Sequence, residues 1–195
     1  MLRMIKYFIL CMNSIIVFIQ DQDKLYGSEL IRSDVIEDCY VELTGTVTSA
    51  NYIRDASVTI YRDSTFYLSG KTNRSGKCKI KLPLNERYTI VFSKPGFVSK
   101  KISINTRIPV SKKGIYKFFY TVYLFEEIQG LDISILNLPV AIVTFNNFMN
   151  QFDYDYNYTV WINKDIEKLY DDYYLLEASQ THTSRNKTNA KKKTD

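Results

Sequence analysis

Residues 78–82 read Cys78-Lys79-Ile80-Lys81-Leu82, a strict alternation that sends the thiol, Ile80 and Leu82 to one side and both lysines to the other. An extended strand with one dry and one wet face satisfies that pattern, because strand side chains alternate with a period of two. A helix would mix the two sets. Six further β-prone runs share the region, at residues 40–48, 57–62, 66–72, 88–93, 97–104 and 116–125. Short strands in such succession, with turn residues between them, predict a mainly β fold: an antiparallel Greek-key sandwich rather than a parallel sheet with helical crossovers.

Two turns are the sharpest. In Lys94-Pro95-Gly96, proline fixes φ and glycine permits positive φ, which predicts a hairpin between 88–93 and 97–104. Asn73-Arg74-Ser75-Gly76 predicts a second hairpin, between 66–72 and 78–82. The run 116–125 is apolar or aromatic on both faces. One side is expected to face the core and the other to lie under the segment that follows.

Charge divides the chain. Residues 40–125 hold 15 basic and 4 acidic side chains, residues 126–179 hold 2 and 10, and residues 21–39 hold 2 and 6. The acidic flanks are expected to pack on the basic segment and neutralise it. No ribonucleoprotein, helix-turn-helix or zinc-finger pattern occurs, so nucleic acid is not an expected partner.

Arg3 and Lys6 precede an almost wholly apolar run over residues 7–19, followed by polar residues 20–24. This is the layout of an export signal, and the run is short of the roughly 20 residues that span a membrane. Phe18, Ile19 and Gln20 stand where a signal peptidase prefers small residues, so residues 1–20 are a signal peptide or an uncleaved N-terminal anchor. Membrane contact is expected only in the second case. Leu10 before Cys11 argues against a lipoprotein. Residues 21–39 form an acidic lead-in. The expected location is the periplasm, the outer membrane or the cell surface.

Beyond the sandwich, residues 126–179 form an acidic extension. Residues 140–145 are β-prone, Asn146-Asn147 marks a turn before 152–154, and a short hairpin is expected. From Tyr158 the apolar residues Trp161, Ile162, Ile166, Leu169, Tyr170, Tyr173 and Leu176 recur at helical spacing, predicting an amphipathic helix with Asn157 as N-cap and the stripe packed on the sandwich. Residues 180–195 are expected to be a disordered basic tail.

Little here points to chemistry. The sole histidine, His182, lies in the polar tail, and no Gly-x-Ser-x-Gly elbow is present. Asp153 and Asp155 alternate and would share a strand face, where they are either solvated or candidates for a hard cation. Cys39 and Cys78 either form a disulfide or leave Cys78 as a small buried hydrophobe. No catalytic, cofactor-binding or metal-binding residue is assigned, no cofactor is expected, and the chain is expected not to be an enzyme.

The series Leu43-Thr44-Gly45-Thr46-Val47, Ala56-Ser57-Val58-Thr59-Ile60-Tyr61, Thr72-Asn73-Arg74-Ser75-Gly76-Lys77 and Tyr88 through Phe97 resembles the carboxypeptidase regulatory-like domain. The resemblance implies a transthyretin-like sandwich of the kind found in small exported proteins of the Bacteroidota. It covers residues 40–125. Asn73 departs from the Asp often found before the turn glycine, which argues against a cation there. In carboxypeptidases this module is an appendage, and the zinc chemistry lies in a domain that residues 40–125 do not contain. The expected function is therefore an exported, non-catalytic module for protein interaction or a structural role in the cell envelope, with a carbohydrate-binding module as the alternative. The partner would be an envelope protein or a glycan.

Overall fold

The computed structural model describes residues 28–30, 39–50 and 52–191, with the backbone alone for 28–30 and 181–191. The leader expected over 1–20, most of the acidic lead-in and the last tail residues lie outside the described residues. Among the described residues, ten strands build two packed sheets: β1 (Ser28–Leu30), β2 (Tyr40–Thr48), β3 (Ser57–Arg62), β4 (Thr65–Lys71), β5 (Lys77–Pro83), β6 (Arg87–Lys94), β7 (Phe97–Asn105), β8 (Ile115–Tyr123), β9 (Ala141–Asn146) and β10 (Gln151–Tyr154). Among the described residues one α-helix, α1 (Tyr156–Lys191), follows. The first sheet has the order β1-β5-β2-β8 and the second β10-β9-β7-β6-β3-β4. The chain is a β-sandwich with a C-terminal helix. Its hairpins are antiparallel as expected, while β1–β5, β2–β8 and β7–β9 run parallel.

Alternation fills the core. Val41, Leu43 and Val47 from β2, Ile80 and Leu82 from β5, and Phe118, Tyr120 and Val122 from β8 meet Val58, Ile60, Ile90, Phe92, Ile102 and Ile104 of the facing sheet. Pro95-Gly96 joins β6 to β7 as a hairpin, with Lys94 opposite Phe97.

Asn73 to Gly76 makes a different connection from the one expected. β4 pairs with β3, whereas β5 pairs with β2, so this turn carries the chain from one sheet to the other. Turn residues specify a reversal of direction, and pairing depends on which sheet has room. The Asn73 carboxamide oxygen accepts the amides of Ser75 and Lys77, both at 2.9 Å. Gly76 holds φ +69, and a Cβ there would sit 2.3 Å from the Val47 carbonyl oxygen. Buried Thr72 locks the turn to the β2–β3 connection: its hydroxyl donates to the Ile53 carbonyl at 2.7 Å and accepts the Ala56 amide at 3.0 Å.

The outer face of β8 is covered only at its last residue, where Tyr123 packs on Tyr170 of the helix at 6.2 Å. Phe119 is 67% exposed there, and Ile115 is exposed beside it. Instead, β9 and β10 extend the second sheet and turn their apolar face toward the inner side of β8. Tyr116 meets Phe152 at 5.5 Å and Phe118 meets Tyr154 at 5.2 Å. An extension with its own paired strands gains more by lengthening a sheet, because each new strand satisfies backbone groups that would otherwise stay bare.

Helix α1 starts at Asp155, not Asn157, as the cap: the Asp155 carboxylate accepts the Tyr158 amide at 3.0 Å. Ile162 and Leu169 are buried, and Ile166, Tyr170 and Tyr173 pack with Val98, Phe125 and Leu136. The helix then runs through residues 180–191, beyond the boundary drawn at 179. Trp161 leaves the stripe: it is 52% exposed and meets the Tyr158 ring at a tilt, with centroids 5.5 Å apart. Nor do the helix acids neutralise the sandwich, since Asp165, Glu167, Asp171 and Asp172 face solvent. The contact is aromatic. The buried Lys100 ammonium donates to the Tyr170 hydroxyl and lies 5.9, 5.1 and 4.9 Å from the rings of Tyr123, Phe125 and Tyr170.

Cys39 and Cys78 are both free thiols. Cys78 lies opposite Gly45, six residues along β2 from Cys39. At strand rise that is about 20 Å, far beyond the roughly 7 Å Cα separation a disulfide tolerates. Cys78 instead contacts the Tyr120 hydroxyl at 3.6 Å inside the core. Burial pushes the Cys78 thiol and the Tyr120 and Tyr88 phenols above their ordinary values. Each is buried neutral, so the stability it contributes is full below its unfolded value and is lost as pH rises toward its folded one. Urea midpoints are therefore expected to be insensitive to these groups up to about pH 8 and to fall beyond it. A midpoint that stays level into strong alkali would contradict this burial.

Candidate functional site

The registers gather one set of connections at a single end of the sandwich. Arg62 closes β3 opposite Tyr88, Arg87 opens β6 opposite Asn105, and β9 ends at Asn146 parallel to β7. Ile115 opens β8 beside Tyr40, which faces Pro83. The connections at 63–64, 84–86, 106–114 and 147–150 therefore share this loop end.

Its most prominent feature is apolar. Phe148 is 98% exposed, Met149 is 56% exposed, and Val110 in the neighbouring connection is 82% exposed. These side chains stand on a fixed backbone. The Asn146 carboxamide oxygen accepts the amides of Phe148 and Met149, each at 3.0 Å, and Asn150 adopts the left-handed region at φ +54. The Lys112 ammonium donates to the Asn147 carbonyl at 2.8 Å and lies 5.6 Å from the Phe145 ring. The Tyr116 hydroxyl donates to the Lys112 carbonyl, tying the same connection to β8. Residues 105–119 add Arg107, Lys112, Lys113 and Lys117 without an acid, and residues 145–152 carry no charge. The side of the loop end formed by residues 105–119 and 145–152 is thus apolar and basic, while Asp63 and Glu86, the latter beside Arg62 at 4.0 Å, stand on the other connections.

A second surface is the outer face of the first sheet. Lys77, Lys79 and Lys81 project from β5 about 6.6 Å apart, with Lys117 and exposed Phe119 on β8. The Glu42 carboxylate pairs with Lys79 at 3.0 Å. At the opposite end of the molecule, an open cleft of about 280 Å³ lies between Tyr52, Ile53, Phe97 and Glu126. The Lys94 ammonium at its margin donates to the Arg54 carbonyl at 2.8 Å.

The residues singled out from sequence are dispersed. Asp153 accepts the amide of Tyr154 at 2.7 Å, while Asp155 is committed to the helix cap, so the two form no shared cation site. Among the described residues no three His, Cys, Asp or Glu side chains converge. His182 lies on α1 where side chains are not described. Phe148 and Met149 escaped the sequence reading, which treated Asn146-Asn147 only as a turn. Two consecutive apolar residues inside an Asn-flanked turn are the signal that marks them.

No family model matches the chain, and no curated protein matches it. Solved structures similar to it include the Bacillus anthracis TIE protein, at 23% identity and TM-score 0.38 over 45% of this chain and 17% of that one. Catechol 1,2-dioxygenase from Acinetobacter sp. ADP1 aligns at 12% identity and TM-score 0.37 over 53% of this chain and 58% of its own. Shaft pilin SpaA from Lactobacillus rhamnosus GG, as a double mutant, aligns at 11% and 0.34 over 46% and 47%. The chain spans less than two thirds of each. The expectation that the chain is not an enzyme is not upheld, since catechol 1,2-dioxygenases stand among the similar structures, and at these scores they assign it no activity. By its two packed sheets the chain is a β-sandwich protein that carries a C-terminal hairpin and helix.

Proposed function

We propose that the chain is an exported module with a protein-interaction or structural role in the cell envelope, built on a carboxypeptidase regulatory-like, transthyretin-like sandwich. The observation that carries the binding role is Phe148, almost fully exposed on a backbone held by Asn146. An aromatic side chain that adds nothing to the core, next to exposed Met149 and Val110, has the composition of an interface anchor. Export is supported by Arg3, Lys6 and the apolar run after them, and the periplasm, outer membrane and cell surface are the compartments in view. The family assignment is supported by the order of its motifs, which fall on β2, β3, the inter-sheet turn and the β6–β7 hairpin.

Recognition of an anionic glycan is a second reading, favoured by the lysines of β5 beside Phe119 on an open sheet face. The two are separated by photo-crosslinking in envelope preparations, with the reactive side chain placed at Phe148 or at Phe119. Protein adducts from position 148 alone support the interaction reading, and their absence overturns it. Phe148→Ala is expected to weaken capture by about tenfold or more and to leave the unfolding temperature unchanged. Retention on a polyanion lost in Lys79→Ala/Lys81→Ala supports the glycan reading.

A further inference from the structure

The loop end has a counterpart on the same molecule. On α1, the face turned away from the sandwich exposes Val160, Trp161 and Leu175, the last two about 21 Å apart at helical rise. Around them residues 160–177 carry Asp165, Glu167, Asp171, Asp172 and Glu177 against Lys164 and Lys168. One surface is thus apolar and basic, the other apolar and acidic. A chain cannot join its own two surfaces. Tyr158 is anchored at Pro139, and Leu169, Tyr170 and Tyr173 pack on Val98 and Phe125, at the end of the sandwich away from Phe148.

Resting on the interaction reading above, we infer that the partner at the loop end is a second copy of this chain, seated on the outward face of its helix. Phe148 and Met149 meet Leu175, and Arg107 and Lys113 meet Asp171 and Asp172 one helical turn away. Complementary potentials of this kind select a partner and fix its register. Different patches are used on the two copies, so the contact is heterologous and repeats head to tail, as an open chain or a closed ring.

The test is sedimentation of the full chain in non-ionic detergent over a wide concentration range. Wild type is expected to associate at low salt and to dissociate at high salt. Arg107→Glu/Lys113→Glu and Asp171→Lys/Asp172→Lys are each expected to weaken association by about tenfold or more, and an equal mixture of the two variants to restore it. All four side chains are exposed, so circular dichroism should confirm that each variant remains folded. A wild type that stays monomeric throughout, or association that ignores both reversals, overturns the inference. If the wild type is monomeric while Phe148 crosslinks to a different protein, self-association is wrong and the interaction reading stands. If Phe148 crosslinks to nothing, both fall.

Discussion

A chain ended after Phe125 is expected to aggregate rather than fold. Although the seven strands from β2 to β8 are intact in it, the core is not. Val143 and Phe152 are part of that core, and Leu136 and Leu169 bury Val98 and Phe125. Removing them bares Tyr116, Phe118, Val98 and Phe125, each at about 1.5–3 kcal/mol for a fully exposed side chain. Together these approach the 5–15 kcal/mol that is the whole net stability of an ordinary domain. The cut also strips β9 from Ile102 to Ile104 of β7 and leaves that edge unpaired. Gel filtration and circular dichroism of residues 40–125 decide the matter. A soluble folded monomer would mean that the hairpin and helix are an ornament.

Gly45 gives the largest expected effect of a single substitution. It faces inward on β2, in register with Cys78 on one side and Tyr120 on the other. A Cβ there would lie 2.2 Å from Tyr120 Cζ and 2.4 Å from its oxygen. The ring cannot readily move, since it packs on Phe92 at 5.7 Å and its hydroxyl contacts Cys78. Gly45→Ala should cost about 1–3 kcal/mol, which is on the order of 5–10 °C in Tm for a chain of this size. Gly45→Val should prevent folding. Tyr120→Leu removes the obstructing ring end, so the double variant Gly45→Ala/Tyr120→Leu should be more stable than additivity allows. Additive losses would show that the glycine is not there for the ring.

The strand pattern was legible because half-buried strands write their faces into alternate residues, as β5 does with Cys78, Ile80 and Leu82 against Lys77, Lys79 and Lys81. Sheet membership was not. Asn73 and Gly76 have turn chemistry whether the next strand returns to its neighbour or crosses to the other sheet, and only the room beside β2 decides. The apolar outer face of β8 misled for a similar reason: Ile115 and Phe119 look like side chains awaiting a cover, yet the extension binds the inner side and the edge. Asp153 and Asp155 share an alternation, but the chain leaves the strand between them and makes one a helix cap. Of the candidate site, Phe148 and Met149 were present as letters without a period, and exposure of a turn residue is a property of the folded whole.

The β2–β8 ladder, from Tyr40 beside Ile115 to Thr48 beside Tyr123, bonds in parallel two strands that lie far apart along the chain. Such a contact cannot form locally, and its loop-closure entropy must be met before it gives any return. Until Tyr123 has left the ribosome, β2 has an unoccupied side, with its backbone amides and carbonyls there unpaired. The nascent chain is therefore obliged to remain unfinished for most of its synthesis. Refolding should be slow and concentration-sensitive, with the closing of this one ladder as the step that commits the molecule.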